Sequence, residues 1–290
     1  MSLAKFEIIS TIIELGSFAK AGDKLGLTQS AVSHAVSSLE KEYGFSLLTR
    51  GRAGIHLTTN GERMLSYMQA MLKTQKEMAQ EIANINGLIV GEVRIGTFSS
   101  VSSQWLPEIL QRFTELYPNI DIQLYEGDYD AIESWIANGY VDFGFVSLPT
   151  SYQLDVIPLK KDRMVCFVEE HHPFTKLDAV TWADIKEQPF IRAKKGSDND
   201  LRRILKQQQI IPNVRFELAD DQAIFSMVSH GMGISVLSEL AMFRIPENIH
   251  IIKLEPEEYR TIGSAAPSFK TIAPATKRFI SYLQQYVDQK

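Results

Sequence analysis

Residues 28–44 read TQSAVSHAVSSLEKEYG, and the helix that this stretch predicts decides the fold of the first domain. Apolar side chains recur every three or four positions, which places on one face Ala31, Val32, Ala35, Val36, Leu39 and Tyr43. The opposite face carries neutral hydrogen-bonding groups, namely Gln29, Ser30, Ser33, His34 and Ser37. Solvated helix faces usually carry Glu, Lys and Arg, and serines lower helix propensity. We therefore interpret the neutral face as a contact surface, the alternative being an ordinary amphipathic helix with a solvated face.

Two shorter predicted helices precede that stretch. Apolar residues at helical spacing predict a helix over residues 3–15, which Gly16 ends. Ser17 can cap a second helix over residues 18–25, and Thr28 can cap the third helix after a tight turn at Gly26. The predicted order is helix, short helix, tight turn and helix. This order is typical of a helix-turn-helix.

The neutral face of the third helix suits the major groove of DNA. That groove admits an α-helix and displays hydrogen-bond donors, acceptors and thymine methyl groups. Short side chains let the helix approach closely, and Gln and Ser can pair with base edges or phosphates. A helix N-terminus also favours a phosphate. The sequence therefore predicts a DNA-binding surface made of Thr28, Gln29, Ser30, Ser33, His34 and Ser37.

Residues 45–61 predict a small β-hairpin, or wing, directly after the helix-turn-helix. One strand begins at Leu47 and the chain returns at Ile55 around a glycine-containing turn. Arg50 and Arg52 lie at the tip of this hairpin, where guanidinium groups can bind phosphates or enter the minor groove. We therefore add Arg50 and Arg52 to the predicted DNA-binding surface.

A run of residues across this segment is characteristic of a known family: Phe18-Ala19-Lys20-Ala21-Gly22, Leu25, Thr28-Gln29-Ser30-Ala31-Val32-Ser33, Leu39-Glu40, Leu47-Leu48, Arg50, Arg52, Gly54-Ile55, Leu57-Thr58 and Gly61. Their order and spacing resemble the winged helix-turn-helix of LysR-type transcriptional regulators. The family often has Phe where Leu48 stands and Ala where Gly22 and Asn60 stand. The resemblance implies a regulator that binds double-stranded DNA.

Residues 59–86 contain no proline and predict one long helix of roughly 42 Å. Thr59 and Glu62 have the spacing of a capping box. A heptad seam follows, formed by Met64, Met68, Met71, Gln75, Met78, Ile82 and Ile85. We predict that this seam pairs with a second copy, with Gln75 fixing the register, the alternative being that the methionines pack on the next domain. The resemblance also implies a dimerising linker helix, with dimers often pairing into tetramers.

The remaining chain contains the same order of elements twice. Residues 93–146 and again residues 190–237 have the following order of features: strand, helix, Pro-Asn, strand, acidic turn, helix, glycine and strand. This alternation predicts parallel sheets with helices on their faces. We expect two α/β lobes, lobe one from about residues 91–160 and 268–290 and lobe two from about residues 161–267.

The predicted fold class is therefore α/β with an N-terminal all-α winged helix-turn-helix. Residues 1–58 form the DNA-binding domain, residues 59–90 the linker helix and residues 91–290 the two-lobed domain. This last part resembles the effector-binding domain of the same family, which in turn looks like periplasmic binding proteins. The resemblance rests on Ile95-Gly96, Leu106-Pro107, Phe113, Tyr117-Pro118, Gly139, Asp142 and Gly231-Met232-Gly233-Ile234.

Two loops predict a ligand site between the lobes. Open α/β sheets bind ligands at the carboxyl ends of their strands, and two facing lobes bring those ends to one cleft. A hydroxyl-rich loop at residues 98–103 and a lysine-containing loop at residues 193–197 suit an anion at a helix N-terminus. We expect a small, anionic metabolite at Ser99, Ser100, Ser102, Ser147, Lys194, Lys195 and Ser197. The alternative is that the serines cap helices and the lysines are solvated.

Charge and cysteine content limit the other function classes. The net charge is −5, with nine basic against eight acidic residues over positions 1–90 and 21 against 27 over positions 91–290, so the first third is the less acidic part. A single cysteine, Cys166, excludes an intrachain disulfide and fits a reducing compartment. Lys5 and Glu7 interrupt the first apolar run, which is untypical of a signal peptide, and no apolar run is long enough to span a membrane. We expect a cytoplasmic protein.

The sequence carries no strong catalytic motif, so we expect no enzyme, cofactor or metal. His171 and His172 are adjacent and would point to opposite faces of a strand. Gly231-Met232-Gly233 lacks the third glycine of a dinucleotide fingerprint. Cys166 lies in an apolar run and is expected to be a small buried hydrophobe. A cleft-type α/β enzyme or a solute-binding protein remains the alternative for residues 91–290 taken alone.

Overall fold

The computed structural model describes residues 2–51 and 54–288, apart from the side chains of Arg50 and Asp288. The chain divides into two compact units. One unit runs to Leu88 and includes Asn138–Tyr140, and the other begins at Ile89. The predicted boundary between residues 90 and 91 lies two residues further along the chain. Among the described residues, no helix combines the length and apolarity that a membrane crossing requires.

The first unit begins with three helices in the predicted order: α1, Leu3–Leu15; α2, Phe18–Leu25; and α3, Gln29–Tyr43. The Ser17 hydroxyl accepts a hydrogen bond from the backbone N–H of Lys20, and the Thr28 hydroxyl accepts one from Ala31. These bonds satisfy backbone donors that would otherwise be unpaired at a helix start. The predicted caps at Ser17 and Thr28 are confirmed.

The turn between α2 and α3 packs closely against α2 at Gly22. A Cβ added to Gly22 would lie 2.6 Å from the backbone oxygen of Leu27. Gly26, with φ of 67°, adopts the left-handed conformation that glycine reaches without strain. The close approach of the turn to α2 therefore depends on the missing side chain at Gly22.

A two-stranded hairpin and a long helix complete this unit: β1, Leu48–Gly51; β2, Gly54–Leu57; and α4, Thr59–Ile85. The strands are antiparallel, with Gly51 opposite Gly54 at the turn. The predicted cap of α4 at Thr59 is wrong by one residue. Thr58 is the cap because its hydroxyl accepts from the N–H of Gly61 at 2.9 Å while donating to the carbonyl of Ser46 at 2.7 Å.

The core of the first unit lies between α1, α3 and the start of α4. It contains buried side chains from all three helices, including Phe6, Ile9, Ile12, Val32, Val36, Leu39 and Met68. Ala31 is exposed, so the prediction that it packs on the first two helices is wrong. Its position lies one residue before Val32, which turns its methyl group towards the neutral face of α3.

The second unit begins with these helices and strands: β3, Gly91–Thr97; α5, Ser99–Gln104; α6, Leu106–Leu116; β4, Ile120–Glu126; α7, Tyr129–Ala137; β5, Phe143–Leu148; β6, Asp155–Glu169; β7, Ala179–Thr181; α8, Trp182–Lys186; β8, Pro189–Ala193; α9, Asn199–Gln207; and β9, Asn213–Leu218. It ends with α10, Asp221–Ser229; β10, Ser235–Ser238; β11, Ile249–Glu255; β12, Tyr259–Ala266; and α11, Pro274–Asp288. The predicted repeat of strands and helices is present in both halves.

The strands assemble into two lobes that share β6. In lobe one the order is β4, β3, β5, β12 and the first part of β6, with β3 parallel to β4 and β5. In lobe two β10 and β11 pair with the second part of β6, β7 lies beside β11, and β8 pairs in parallel with β9. A bridge between Phe190 and Ile234 joins β8 to the start of β10.

Two features of this topology differ from the prediction. The sheets are mixed rather than parallel, because β12 and β6 run antiparallel to their neighbours. The chain also returns to lobe one before residue 268, since Thr261 to Ala265 of β12 pair with β5. Strands β6 and β12 therefore connect the lobes, and each lobe has its own apolar core.

Candidate functional site

The neutral face of α3 is exposed in the first unit. Thr28, Gln29, Ser30, His34 and Ser37 are exposed, and Ser33 is half-buried at the edge of the same face. Val32, Val36 and Leu39 lie on the other side in the core. The apolar period of three and four residues therefore orients the helix so that its hydrogen-bonding groups face outwards.

The hydroxyl groups of this face have different roles. Thr28 Oγ1 and Ser30 Oγ lie 3.0 Å apart, and Thr28 also caps the helix, so part of their capacity is used locally. By contrast, the side chains of Gln29, Ser33, His34 and Ser37 have no hydrogen-bonded partner among the residues that the structure describes. Four side chains on one helix face are therefore available to donate or accept towards another molecule.

Glu40 fixes the wing to the end of α3. Its Oε1 accepts hydrogen bonds from the backbone N–H groups of Leu47, at 2.7 Å, and Leu48, at 3.2 Å. Arg50 stands opposite Ile55 in the hairpin, but its side chain and the whole of Arg52 lie outside the described residues. Their predicted contact with DNA stays a prediction.

The predicted seam of α4 has two parts. Met68 is only 1% exposed and Met64 packs against the same core, so the prediction that Met68 meets a partner helix is wrong. The first turns of α4 are covered by α1 of the same chain. The rest of the seam is more open, with Met78 at 61% and Ile85 at 75% exposed, and it also includes Met71, Gln75 and Ile82.

A cavity of about 310 Å³ lies between the two lobes of the second unit. Four of the seven predicted effector residues line it, namely Ser99, Ser100, Lys194 and Ser197. The other three, Ser102, Ser147 and Lys195, do not line this cavity. Ser102 lies 3.2 Å from the hydroxyl of Thr97, Ser147 is buried and donates to Asp200 at 2.7 Å, and Lys195 is exposed to solvent.

Arg260 lies at the wall of this cavity and was missed by the sequence reasoning. Its side chain is buried, with the residue 4% exposed, and it donates three hydrogen bonds: to Asp162 at 2.8 Å, to Tyr129 at 2.6 Å and to Ser100 at 2.9 Å. Its guanidinium also lies 5.2 Å from the centre of the Phe98 ring. A buried charge is costly unless it is paired, and Asp162 supplies that partner.

The burial of these groups shifts their pKa values. Burial raises the pKa of Tyr129 to about 12, against the opposing charge of Arg260. Burial lowers the pKa of Arg260, but Tyr129 and Asp162 outweigh it and raise the pKa overall. Burial also raises the pKa of Asp221, against the hydrogen bond from Ser99. Arg260 is therefore a permanent cation, while Asp221 is a carboxyl group that is harder to ionise than usual.

Carboxylates are the second group that the sequence reasoning missed. Five of them line the cavity: Glu126, Asp128, Asp198, Asp200 and Asp221. Asp128 lies in the acidic turn after β4, and Asp221 begins α10 directly after the acidic turn that follows β9, so the repeat did carry a signal. Asp198 and Asp200 at the start of α9 carried none, because acidic residues there are common without a ligand.

Several hydrogen bonds cross from one lobe to the other around the cavity. Ser147 of β5 donates to Asp200 of α9, and Asn199 donates to Asp130 at 2.8 Å. The backbone N–H of Tyr129 donates to the carbonyl of Gly196 at 3.1 Å. These hydrogen bonds therefore link the lobes around the cavity, in addition to the connecting strands β6 and β12.

Two family models match the chain. Residues 3–62 match the bacterial regulatory helix-turn-helix protein, lysR family, and residues 86–288 match the LysR substrate binding domain. The chain belongs to the LysR family of transcriptional regulators. The predicted fold class and the predicted function as a DNA-binding regulator with an effector-binding domain are confirmed, and the family consists of regulators rather than enzymes.

Relatives of similar length agree with this LysR assignment, and solved structures share the fold. The transcriptional regulator YvbU of Bacillus subtilis is 32% identical over 98% of both chains, and the probable regulator LrrA of Synechococcus elongatus is 31% identical over 98% of this chain and 97% of its own. A full-length OxyR variant from Pseudomonas aeruginosa superimposes with a TM-score of 0.77 at 20% identity, covering 99% of this chain and 94% of that one. CbnR in complex with its target DNA gives a TM-score of 0.67 at 18% identity, over 98% and 99%.

Proposed function

We propose that this LysR-family regulator reads operator DNA with the exposed face of α3. The observation that carries the proposal is the set of unpaired donors and acceptors on one helix face, formed by Gln29, Ser33, His34 and Ser37. A recognition helix in the major groove contacts base edges with residues near its N-terminus, where Gln29 lies. Thr28 and Ser30 bind phosphate there, and the exposed methyl group of Ala31 suits contact with thymine.

The regulator acts as a homodimer through the exposed part of the α4 seam, and two dimers can pair into a tetramer. Met71, Met78, Ile82 and Ile85 present apolar side chains at heptad spacing, with Gln75 between them. Burying them against a second copy removes apolar surface from water. A dimer also matches the two-fold symmetry of operators with two half-sites.

The cavity between the lobes holds a small-molecule effector. Its volume of about 310 Å³ lies at the lower end of the range usual for ligand pockets. A ligand that binds one arrangement of the lobes more tightly than another shifts the protein towards that arrangement and so changes transcription. The site of action is the cytoplasm, where the promoter is accessible.

Promoter binding by the full-length chain tests the proposal. The protein is expected to retard a fragment of its own promoter region, with affinity falling as salt rises, since Lys and Arg contacts with phosphates release counterions. Hydroxyl-radical footprinting is expected to protect two half-sites about 10 base pairs apart, or a multiple of that spacing. Equal affinity for the promoter and for unrelated DNA of the same length would contradict the proposal.

A further inference from the structure

The charges around the effector cavity indicate which chemical class it binds. The following inference rests on the proposed function, in which the cavity is the effector site. Carboxylates outnumber cations in the cavity wall, with five of the former against two of the latter, Lys194 and Arg260. An anionic effector, as the hydroxyl-rich loop and the lysines predicted, would have to enter against this excess of negative charge.

Pairing within the protein neutralises some of these groups but leaves the excess in place. Arg260 is paired with Asp162, with Nη2 and Oδ2 2.7 Å apart. Arg202 pairs with Asp198, and Arg203 lies 3.3 Å from Asp200. Arg260, the one buried cation of the described wall, is therefore neutralised by Asp162 and does not attract an anion. Two of the five carboxylates, Asp198 and Asp200, are likewise neutralised by arginines.

Three carboxylates of the wall make no ion pair among the described residues: Glu126, Asp128 and Asp221. Asp128 accepts from the backbone N–H of Ala131, and Asp221 accepts from the hydroxyl of Ser99 at 3.3 Å. The one cation left to oppose them in the described wall is Lys194, which is exposed. The cavity therefore offers a negative potential to its ligand, and an ionised ligand of opposite sign would gain from it.

The geometry favours an organic cation over a metal ion. Three ligand groups for a metal must come within a few ångströms of one another, and in the described residues the one group with atoms within 4.8 Å of each other is Glu169, Glu170 and His171, none of which lines the cavity. The cavity wall also contains apolar side chains that a bare ion would not use, including Phe98, Met164, Leu201 and Val236. Such a wall suits the carbon skeleton of an organic molecule.

We propose that the effector is an organic ammonium compound, with its protonated amine near Glu126, Asp128 and Asp221 and its carbon skeleton against Phe98, Met164 and Leu201. An ammonium group carries three donors and no acceptor, which matches a wall rich in carboxylates. Lys194, at the exposed side, accommodates a second, polar end of the molecule.

Matched pairs of small amines and acids test this class with the full-length chain. The probes are n-butylammonium chloride and sodium butanoate, 1,4-butanediammonium chloride and sodium succinate, and 2-phenylethylammonium chloride and sodium 3-phenylpropanoate, at equal ionic strength set with NaCl. A ligand selective for the folded state raises the melting temperature in proportion to its occupancy. At least one ammonium compound is expected to raise the melting temperature with a saturable dose dependence, whereas its matched acid leaves it unchanged.

Substitutions in the cavity wall then test where the amine binds. In calorimetric titrations, Asp128→Asn and Asp221→Asn are each expected to weaken binding of the active amine at least tenfold, because each removes a charge partner. Ala219→Trp, at an exposed position of the cavity wall, is expected to abolish binding by filling the entrance. Glu115→Gln, an exposed carboxylate of α6 outside the cavity, is the matched control and leaves the affinity unchanged. Circular dichroism confirms that each variant is folded.

Each negative result counts against a different part of the proposal. If an acid binds and its amine does not, and Ala219→Trp abolishes that binding, the ammonium class is overturned while the cavity remains the effector site. If the amine binds equally well to Asp128→Asn, Asp221→Asn and Ala219→Trp, it binds elsewhere and the inference is overturned. A panel in which no amine raises the melting temperature also overturns it. Loss of promoter recognition by the parent protein, measured separately, counts against the proposed function instead.

Discussion

Single residues decide the character of both candidate sites. On α3, neutral side chains without local partners leave the surface open to another molecule. In the cavity, Arg260 has three hydrogen-bonded partners, so it builds the wall rather than serving as an open anion site. The α3 surface could be predicted from the sequence because its period is visible in neighbouring residues. Arg260 could not, because its partners lie 98 to 160 positions away in the chain.

The buried pair of Arg260 and Asp162 is expected to be essential for the stability of the second unit. Arg260→Met leaves the buried Asp162 without its cationic partner, with the backbone N–H of Leu240 as its remaining donor, and is expected to lower the free energy of unfolding by about 3–5 kcal/mol. Urea unfolding followed by tryptophan fluorescence measures this, since Trp105, Trp135 and Trp182 all lie in the second unit. The control is Arg112→Met, which breaks an exposed pair with Glu108 and should cost about 1 kcal/mol or less. Equal effects of the two variants would contradict this role.

Asp221 is expected to make stability depend on pH. Its pKa is raised in the folded protein, so the folded state keeps a proton that the unfolded state has lost, and stability falls as pH rises from about 3.8, the ordinary value, through the raised value. The melting temperature of Asp221→Asn is therefore expected to match the parent near pH 4 and to exceed it increasingly as pH rises, then level off. Differential scanning calorimetry from pH 4 to pH 7.5 measures this. A difference independent of pH would contradict the expected titration.

At the scale of elements, caps and periods predicted the boundaries of the first unit closely, and the exceptions have physical causes. Thr59 followed by Glu62 looked like a capping box, but Thr58 caps α4 because its hydroxyl also donates to Ser46 across the wing. Met68 belonged to a continuous heptad seam in sequence, yet α1 covers it within the same chain. A period identifies an apolar face but does not reveal which neighbour covers it.

The exposed part of the α4 seam is expected to hold the dimer together. Met78→Glu with Ile82→Glu places four carboxylates at the seam of a dimer, and burying charged groups without partners is costly. The double variant is expected to dissociate at least tenfold more readily, as measured by sedimentation equilibrium. Asn84→Glu, on the opposite face of the same helix, is the control and should leave the dissociation constant unchanged. A double variant that remains as dimeric as the parent would contradict the pairing.

At the scale of the whole molecule, the two units divide the work between DNA and ligand. Within the second unit, β6 and β12 connect the lobes, and the bonds from Ser147 to Asp200 and from Asn199 to Asp130 hold them together around the cavity. The repeat of strands and helices predicted two lobes, but it could not predict that β12 pairs with β5, because that pairing joins distant segments. For the same reason two adjacent lysines predicted an anion, whereas the folded wall collects more carboxylates than cations from distant parts of the chain.

The most direct test of the central claim measures how the full-length protein and its α3 variants bind a fluorescent fragment of its promoter. In fluorescence anisotropy at fixed salt, Gln29→Ala with Ser33→Ala is expected to bind at least tenfold more weakly, because good base contacts are each worth about 1–3 kcal/mol. Ser38→Ala is the matched control, since Ser38 accepts from Lys5 rather than facing outwards, and it is expected to bind like the parent. A double variant that binds as tightly as the parent, while circular dichroism shows it folded, would contradict the account.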